Sequence, residues 1–375
     1  MRFVKLSVRN WRNFEKFDIG LQNRVFIVGP NASGKSNFLD VFRFLRDVAE
    51  NGLKKAVDDK RGGVSKIRCL SARRYPDIVI HASIQAEEFE WSYEISFSQD
   101  NNKRPTVKNE TVKRDGVIVL NRPNDDDKQD KERLTQTHLE QVNANKDFRE
   151  IWSFFKSINY WHIVPQLVRE PDRSVGKIDD PYGSDFLERF ARISDRTREI
   201  RLGKILKALQ VAVPQLIELE LKRDNRGVPH LHGRYEHWRP QGAWQGEDQF
   251  SDGTLRLIGL LWSAFEGRGP LLLEEPELSL HPAVVSRIPQ MLYRLTQKGG
   301  RQTIISTHSS ELLQDEGIAP DEVIMLTPDP EGAKVESARM QADIMALLDG
   351  QMSMADAVLP KTAPGNVQRL SLIED

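Results

Sequence analysis

Cysteine is almost missing from this 375-residue chain: Cys69 is the only one, which excludes a disulfide framework and a thiolate metal cluster. Long apolar runs are missing as well. The most apolar helix-length stretch, Leu255 to Phe265, is interrupted by Arg256 and is too short to cross a bilayer, so no membrane span is expected. No charged start with an apolar block and a small-residue cleavage site precedes the alternating residues Phe3, Val4, Leu6 and Val8, and a cytosolic location is expected from that. Neither sign of charge dominates, with 54 Lys and Arg against 55 Asp and Glu, so any site for nucleic acid or a membrane surface would have to be a local patch. What is present, 39% hydrophobic and 29% charged residues, is the composition of a globular chain with room for one large or two ordinary domains.

Periodicity predicts a hairpin up to Leu21, a buried strand Val25-Phe-Ile-Val28, and a helix carrying Phe38, Leu39, Val41, Phe42 and Leu45. Short alternating runs from Asp77 to Leu120 predict an antiparallel meander. Residues 121–133, rich in Asn, Asp, Lys and Pro around Asp125-Asp126-Asp127, read as a solvated loop; a metal there would need a second ligand cluster, and none lies nearby. Helices are expected from Leu134 to Ile158 and from Ser184 to Val213, with a strand-like run at Tyr160 to Val164 between them. Beyond Leu255 the pattern is helix, buried strand Leu271-Leu-Leu273, helix, and buried strand Thr303-Ile-Ile305. Such alternation argues for an α/β fold with a mostly parallel sheet and helices on both faces.

Gly29-Pro-Asn31-Ala32-Ser33-Gly34-Lys35-Ser36 fits the Walker A pattern of a P-loop NTPase and lies between an apolar strand and an amphipathic helix. Its amides and the helix N-terminus, with Asn37 following, would cradle phosphates, Lys35 would reach the outer phosphates of ATP, and Ser36 would bind Mg²⁺. Leu271-Leu-Leu-Glu274-Glu275-Pro276 fits Walker B, a buried strand ending in two carboxylates. Glu274 would hold Mg²⁺ through water and Glu275 would position or deprotonate the attacking water; most P-loop proteins carry Asp at the first position, so Glu274 is a departure. Ser251-Asp252-Gly253-Thr254 opens the helix before that strand and forms a second anion site, although such a turn in isolation is more often only a turn.

These motifs, in this order, resemble those of ABC-type ATPase heads. Phe250 to Thr254 resembles the signature loop that reaches across a dimer to the γ-phosphate on the partner's Walker A, with Asp252 where Gly is usual and Thr254 where Gln is usual. Glu277 to Pro282 resembles the loop linking the two sites, and Ser306-Thr-His308-Ser309 the switch-histidine region, in which His308 would contact the γ-phosphate. Asn10-Trp-Arg12-Asn-Phe14 resembles the opening of RecF-type and SMC-type heads, where a basic residue lies near the nucleotide; Arg12 is that candidate, or a surface hairpin arginine. Gln166 falls where such heads place a Mg²⁺-sensing Gln.

The resemblance covers roughly residues 1–50 and 245–326. It implies an ABC-ATPase head with an antiparallel β-subdomain and a helical lid, partitioned as 1–120, 121–249 and 250–375. It further implies an ATP- and Mg²⁺-dependent homodimeric switch, of the AAA-type ABC-like class found in bacterial defence and DNA-maintenance operons, that controls a separately encoded effector. Direct action on DNA, as in RecF, is the alternative; a transporter motor would need a shorter interval from Walker A to the signature. Nucleic acid as a partner has one local basis, the basic residues Arg189 to Lys207, although such a run more often makes a solvated helix face. His230, His232 and His237 lack an obvious acidic or thiol partner for zinc. The stretch Ala355 to Leu359 either docks a partner or frays.

Overall fold

The alternating N-terminal residues form, in the computed structural model, a hairpin of β1 (Arg2–Trp11) and β2 (Phe14–Gly20). The structure describes residues 1–72, 76–171, 180, 182–238 and 243–363. Next come β3 (Arg24–Val28), β4 (Ile78–Gln85), β5 (Glu90–Gln99), β6 (Pro105–Arg114) and β7 (Val117–Arg122). They are followed by β8 (Asn159–Trp161), β9 (Leu216–Arg223), β10 (Pro229–Tyr235), β11 (Ala243–Gly246) and β12 (Leu271–Glu274). The last three are β13 (Thr303–Thr307), β14 (Val323–Asp329) and β15 (Gly332–Ser337).

The described residues divide into two compact units, one built from residues 1–159, 268–272 and 292 onward, the other from residues 160–267 and 273–291. The first holds two sheets. The hairpin and the meander form one antiparallel sheet, ordered β2-β1-β4-β5-β6-β7. The second sheet runs β15-β14-β3-β13-β12-β8, with β13 and β14 both parallel to the wholly buried β3. Leu271 enters it by donating its N–H to the Gln302 carbonyl at 2.9 Å. The buried Gln302 side chain joins the sheets, accepting from Phe3 N–H at 2.9 Å and donating to the Phe3 carbonyl at 2.8 Å.

Helix α1 (Lys35–Arg61) packs its phenylalanines against this framework, Phe42 lying 4.9 Å from Phe3 between ring centroids. It is longer than the apolar pattern suggests and bends at Gly52, whose φ of 84° takes it out of helical geometry. The bend frees the Leu53 N–H, which donates to the Glu140 carboxylate at 2.8 Å.

The far end of α1 is tied back to its start. Arg61, its side chain 2% exposed, pairs with Asp40 at 2.8 Å and Asp47 at 2.9 Å. Burial alone would raise the Asp40 pKa, but Arg61 above all, with Arg43 and Arg12, brings it from 3.8 down to about 2. Its ionised form thus contributes stability that is present above pH 3.8 and lost as pH falls through about 2. Arg61→Met removes the cation that two buried carboxylates share, leaving Arg12 with Asp40 and Lys60 with Asp47, and is expected to cost about 3 kcal/mol in urea unfolding at neutral pH. The deficit should shrink as the carboxylates take up protons in acid; a variant as stable as the parent at neutral pH refutes this account of the network.

The second unit contains a three-stranded antiparallel sheet, β11-β10-β9, and helices over Phe186–Ala191, Asp195–Ala212 and Asp252–Ser263. Phe190 stacks on Trp262 with ring centroids 3.7 Å apart.

Several expectations change. Residues 121–133 are mostly solvated, as expected, but are not a plain loop. Asn124 caps a short helix, Asp125–Gln129, and Asp127 is fully buried, because the equally buried Arg122 binds it at 2.9 Å and holds its carboxyl below the usual range. Arg122 also pairs with Glu110 at 3.0 Å and donates to the Arg133 and Gln136 carbonyls, which folds this segment onto the sheet. Leu134 to Ile158 is not one helix; only Arg149–Lys156 is α-helical, preceded by turns that hang on Glu110 through His138 and Leu139 N–H. Ser184 to Val213 is broken at residues 192–194. The segment 121–249 is not a single helical insertion, since it passes from the first unit to the second at residue 160 and carries β9, β10 and β11. Ala355 to Leu359 is docked: it belongs to the helix Met354–Thr362, which buries Met354, Ala355, Ala357 and Val358. The tail beyond residue 363 lies outside the described residues. No helix among the described residues is long and apolar enough to cross a membrane.

Candidate functional site

In the first unit, β3 delivers its buried chain to Gly29, and α1 opens at Lys35 with the Phe38 N–H donating to the Gly34 carbonyl at 2.8 Å. Two glycines allow the turn. A Cβ on Gly29 would sit 2.7 Å from the Leu326 carbonyl, and Gly34 has φ 103° with Asn13 only 2.3 Å from where its Cβ would be. Ala32 is also left-handed, φ 63°. Lys35 is buried, its ammonium donating to the Gly29 carbonyl at 2.9 Å and the Pro30 carbonyl at 3.3 Å, while Asn31, Ala32 and Ser36 are exposed and Ser33 is buried.

The loop is braced by a residue that motif reading passed over. Asn13 donates to the Ser33 carbonyl at 2.9 Å and accepts from Asn37 at 2.8 Å, and Trp11 donates to the Asn37 carbonyl at 3.0 Å. Arg12, left-handed at φ 51°, forms a 2.8 Å ion pair with Asp40. Arg12, Asn13 and Asn37 line a cleft of 860 Å³ with Arg61, Arg68 and Glu331.

His308 arrives at the same sheet edge. In the parallel β3–β13 pair Thr307 is level with Val28, so the exposed His308 and Gly29 follow at matched positions. Ligands of open α/β sheets bind beyond such carboxyl ends.

In the second unit, Glu274 ends β12 and accepts from the Tyr160 hydroxyl, and its carbonyl lies 3.4 Å from His162 Nδ1. Glu275 is half-buried with φ 43°, a strained conformation for a residue with a side chain. Exposed Ser251 caps the helix Asp252–Ser263, accepting from the Thr254 N–H at 3.1 Å and lying 2.8 Å from the Thr254 hydroxyl. A Cβ on Gly253 would meet the Ser279 carbonyl at 2.5 Å, so glycine is what lets this turn approach the loop after Glu275. Burial pulls Arg256 below its ordinary pKa, against the attraction of Asp252, Glu275 and Glu277. Gln166 donates to Asp252 at 3.2 Å, an engagement with the serine turn that the sequence did not indicate. Tyr160 and Arg169, which contacts Asp252 at 2.6 Å, were likewise missed.

Elsewhere in this unit His230 does find an acidic partner, Glu247 at 2.7 Å, yet no cluster able to hold a metal ion occurs among the described residues. Part of the basic helix is committed internally, Arg198 to Asp195 and Arg201 over Trp262 at 5.4 Å.

Residues 24–314 match the family described as "AAA domain, putative AbiEii toxin, Type IV TA system". A stretch of 72 residues is 39% identical to Endonuclease GajA of Bacillus cereus (strain VD045); it makes up 19% of this chain and spans only 12% of that relative. Among solved structures, an Smc head bound to the C-winged helix domain of ScpA aligns with a TM-score of 0.53 at 14% identity, over 90% of this chain and 97% of that one. An Smc head with an extended coiled coil, bound to the C-terminal domain of ScpA derived from Pyrococcus furiosus, gives 0.52 at 12% identity, over 93% and 99%. At these identities the likeness is one of fold, an SMC-head-like α/β architecture.

Proposed function

This chain belongs to that AAA-domain family, and from this premise we propose that it is a Mg²⁺-dependent ATPase that closes as a head-to-head homodimer on ATP and opens on hydrolysis to control a separately encoded effector. The observation that carries the reading is the matched ending of β3 and β13, Val28 level with Thr307, after which Gly29 and His308 are the next residues at the carboxyl edge of one sheet. The residues suit a triphosphate: amides at the start of α1, a loop whose glycines sit where a Cβ would clash, and a lysine ammonium resting on that loop's own carbonyls.

In this reading Lys35 grips the outer phosphates, and the cleft beside Arg12, Asn13 and Asn37 takes the nucleoside. Glu275 orients and deprotonates water, and His308 donates to the γ-phosphate. Mg²⁺ prefers oxygen donors, which Ser36 and Glu274 offer, and when bound it would neutralise charge on the phosphate oxygens. Gln166 donates to Asp252 through Nε2, so Oε1 is the atom with which it would join the metal. Ser251 serves the nucleotide of a second copy. The Smc heads of this fold described in complex with ScpA domains support a protein partner, and the short stretch shared with an endonuclease is compatible with an effector that acts on nucleic acid.

Ser251→Arg tests the dimer. It should bind ATP as the parent does yet stay monomeric with ATP on size exclusion with light scattering, because a bulky cation fills the anion site at the helix start. A nucleotide-dependent dimer that survives this change removes Ser251 from the interface.

A further inference from the structure

Asp252 is an odd residue for a turn meant to receive a triphosphate. It is the first residue of a twelve-residue helix whose N-terminus attracts anions, so its own carboxylate competes for that field and repels phosphate beside Ser251. The structure answers this charge from one short helix, Pro165–Val168, and the residue that ends it. Gln166 and Arg169, three apart and so on one helical face, take the two carboxylate oxygens: Gln166 Nε2 reaches Oδ2 at 3.2 Å and Arg169 Nη2 reaches Oδ1 at 2.6 Å. The same Arg169 nitrogen donates to the Phe250 carbonyl at 2.6 Å, so one guanidinium grips the chain on both sides of Ser251. Arg169 is only 23% exposed and Asp252 37%, which leaves the pair partly shielded from solvent.

We propose that Arg169 is a positioning residue for the serine turn: it acts through Asp252, neutralising that carboxylate, and so makes the turn acceptable to the triphosphate held by a second copy. The proposal rests on the ATP-sandwich reading above. A purely structural arginine would hold the Phe250 carbonyl whatever stood at position 252, whereas a charge-compensating one matters only while the carboxylate is there.

The test measures the ATP-dependent dimer dissociation constant by sedimentation equilibrium, with Glu275→Gln as the reference background. Arg169→Ala should weaken the dimer at least about tenfold, the scale expected when one member of a partly buried charge pair is removed. The monomer should still bind a fluorescent ATP analogue, since Lys35 and its loop lie in the other unit. Introduced into Asp252→Gly, the same Arg169→Ala change should cost less than about twofold, because no carboxylate is left to neutralise. Should Arg169→Ala not fold, Arg169→Gln carries the comparison: it should weaken the dimer in the presence of Asp252 and have no effect in Asp252→Gly. Equal losses in both backgrounds overturn the proposal and leave the dimer reading standing. A Glu275→Gln reference that remains monomeric with ATP overturns both.

Discussion

Glu275→Gln is expected to lower steady-state ATP turnover about a hundredfold or more while nucleotide remains bound, the effect of removing a positioned general base. The substitution keeps the size of the side chain but removes its charge and its ability to accept a proton. The backbone matters as much. Leu271, Leu272 and Leu273 anchor the strand in the interior, and two residues later the chain is forced to φ 43°. A non-glycine residue held there costs on the order of 1–3 kcal/mol, and surrounding structure sustains such strain mostly at functional positions. Phosphate release in single-turnover and steady-state assays, with retained nucleotide counted after gel filtration, checks the expectation. Turnover at the parent's rate would move the base to another residue, with Glu274 the first to examine.

Lys35→Ala should act one step earlier, weakening ATP binding by at least about 3 kcal/mol, more than a hundredfold in Kd, as expected when one partner of a desolvated charge contact is truncated. Lys35 is 7% exposed, and its contacts with the Gly29 and Pro30 carbonyls show an ammonium held within the loop by its own backbone. Alanine leaves those carbonyls converging without a cation, so it removes the attraction for phosphate and leaves the loop electronegative. Calorimetric titration with ATP reads the loss directly. Thermal denaturation distinguishes it from collapse, because a folded variant that binds nucleotide normally would contradict the lysine's role, and an unfolded one would show instead that the cation supports the loop itself.

The motifs were readable because each is local. Eight consecutive residues encode the glycine loop, and the carboxylates follow directly on an apolar strand; nothing beyond the neighbours of Lys35 or Glu275 is needed to see them. The strands were readable for the same reason. What stayed hidden depends on contacts between residues far apart. Asn13 reaches Ser33 across 20 positions and Tyr160 reaches Glu274 across 114, and no spacing in the sequence announces either. Joining the hairpin and the meander into one sheet required β1 to pair with β4, with Val8 opposite Ile80. In the acidic run at 125–127, Asp125 and Asp126 are solvated as composition suggests, but Asp127 was misread, and only the position of Arg122 shows that it is interior. Residues 134–145 offered helical-looking spacing, but buried Glu110 claims two of their N–H groups and turns them away from a helix.

The order of strands around β3 has a bearing on how the molecule comes into being. The glycine loop is complete by residue 36, yet the strands that flank β3 begin at Thr303 and Val323, the Leu326 carbonyl crowds the place where a Gly29 side chain would be, and the Ala333 N–H donates to the carbonyl of the loop-bracing Asn13 at 2.8 Å. A ribosome that has made three quarters of the chain has therefore already emitted the phosphate cradle without the walls that shape it. The loop thus gains its neighbours on both sides only late in synthesis, whatever the order in which the rest of the sheet forms.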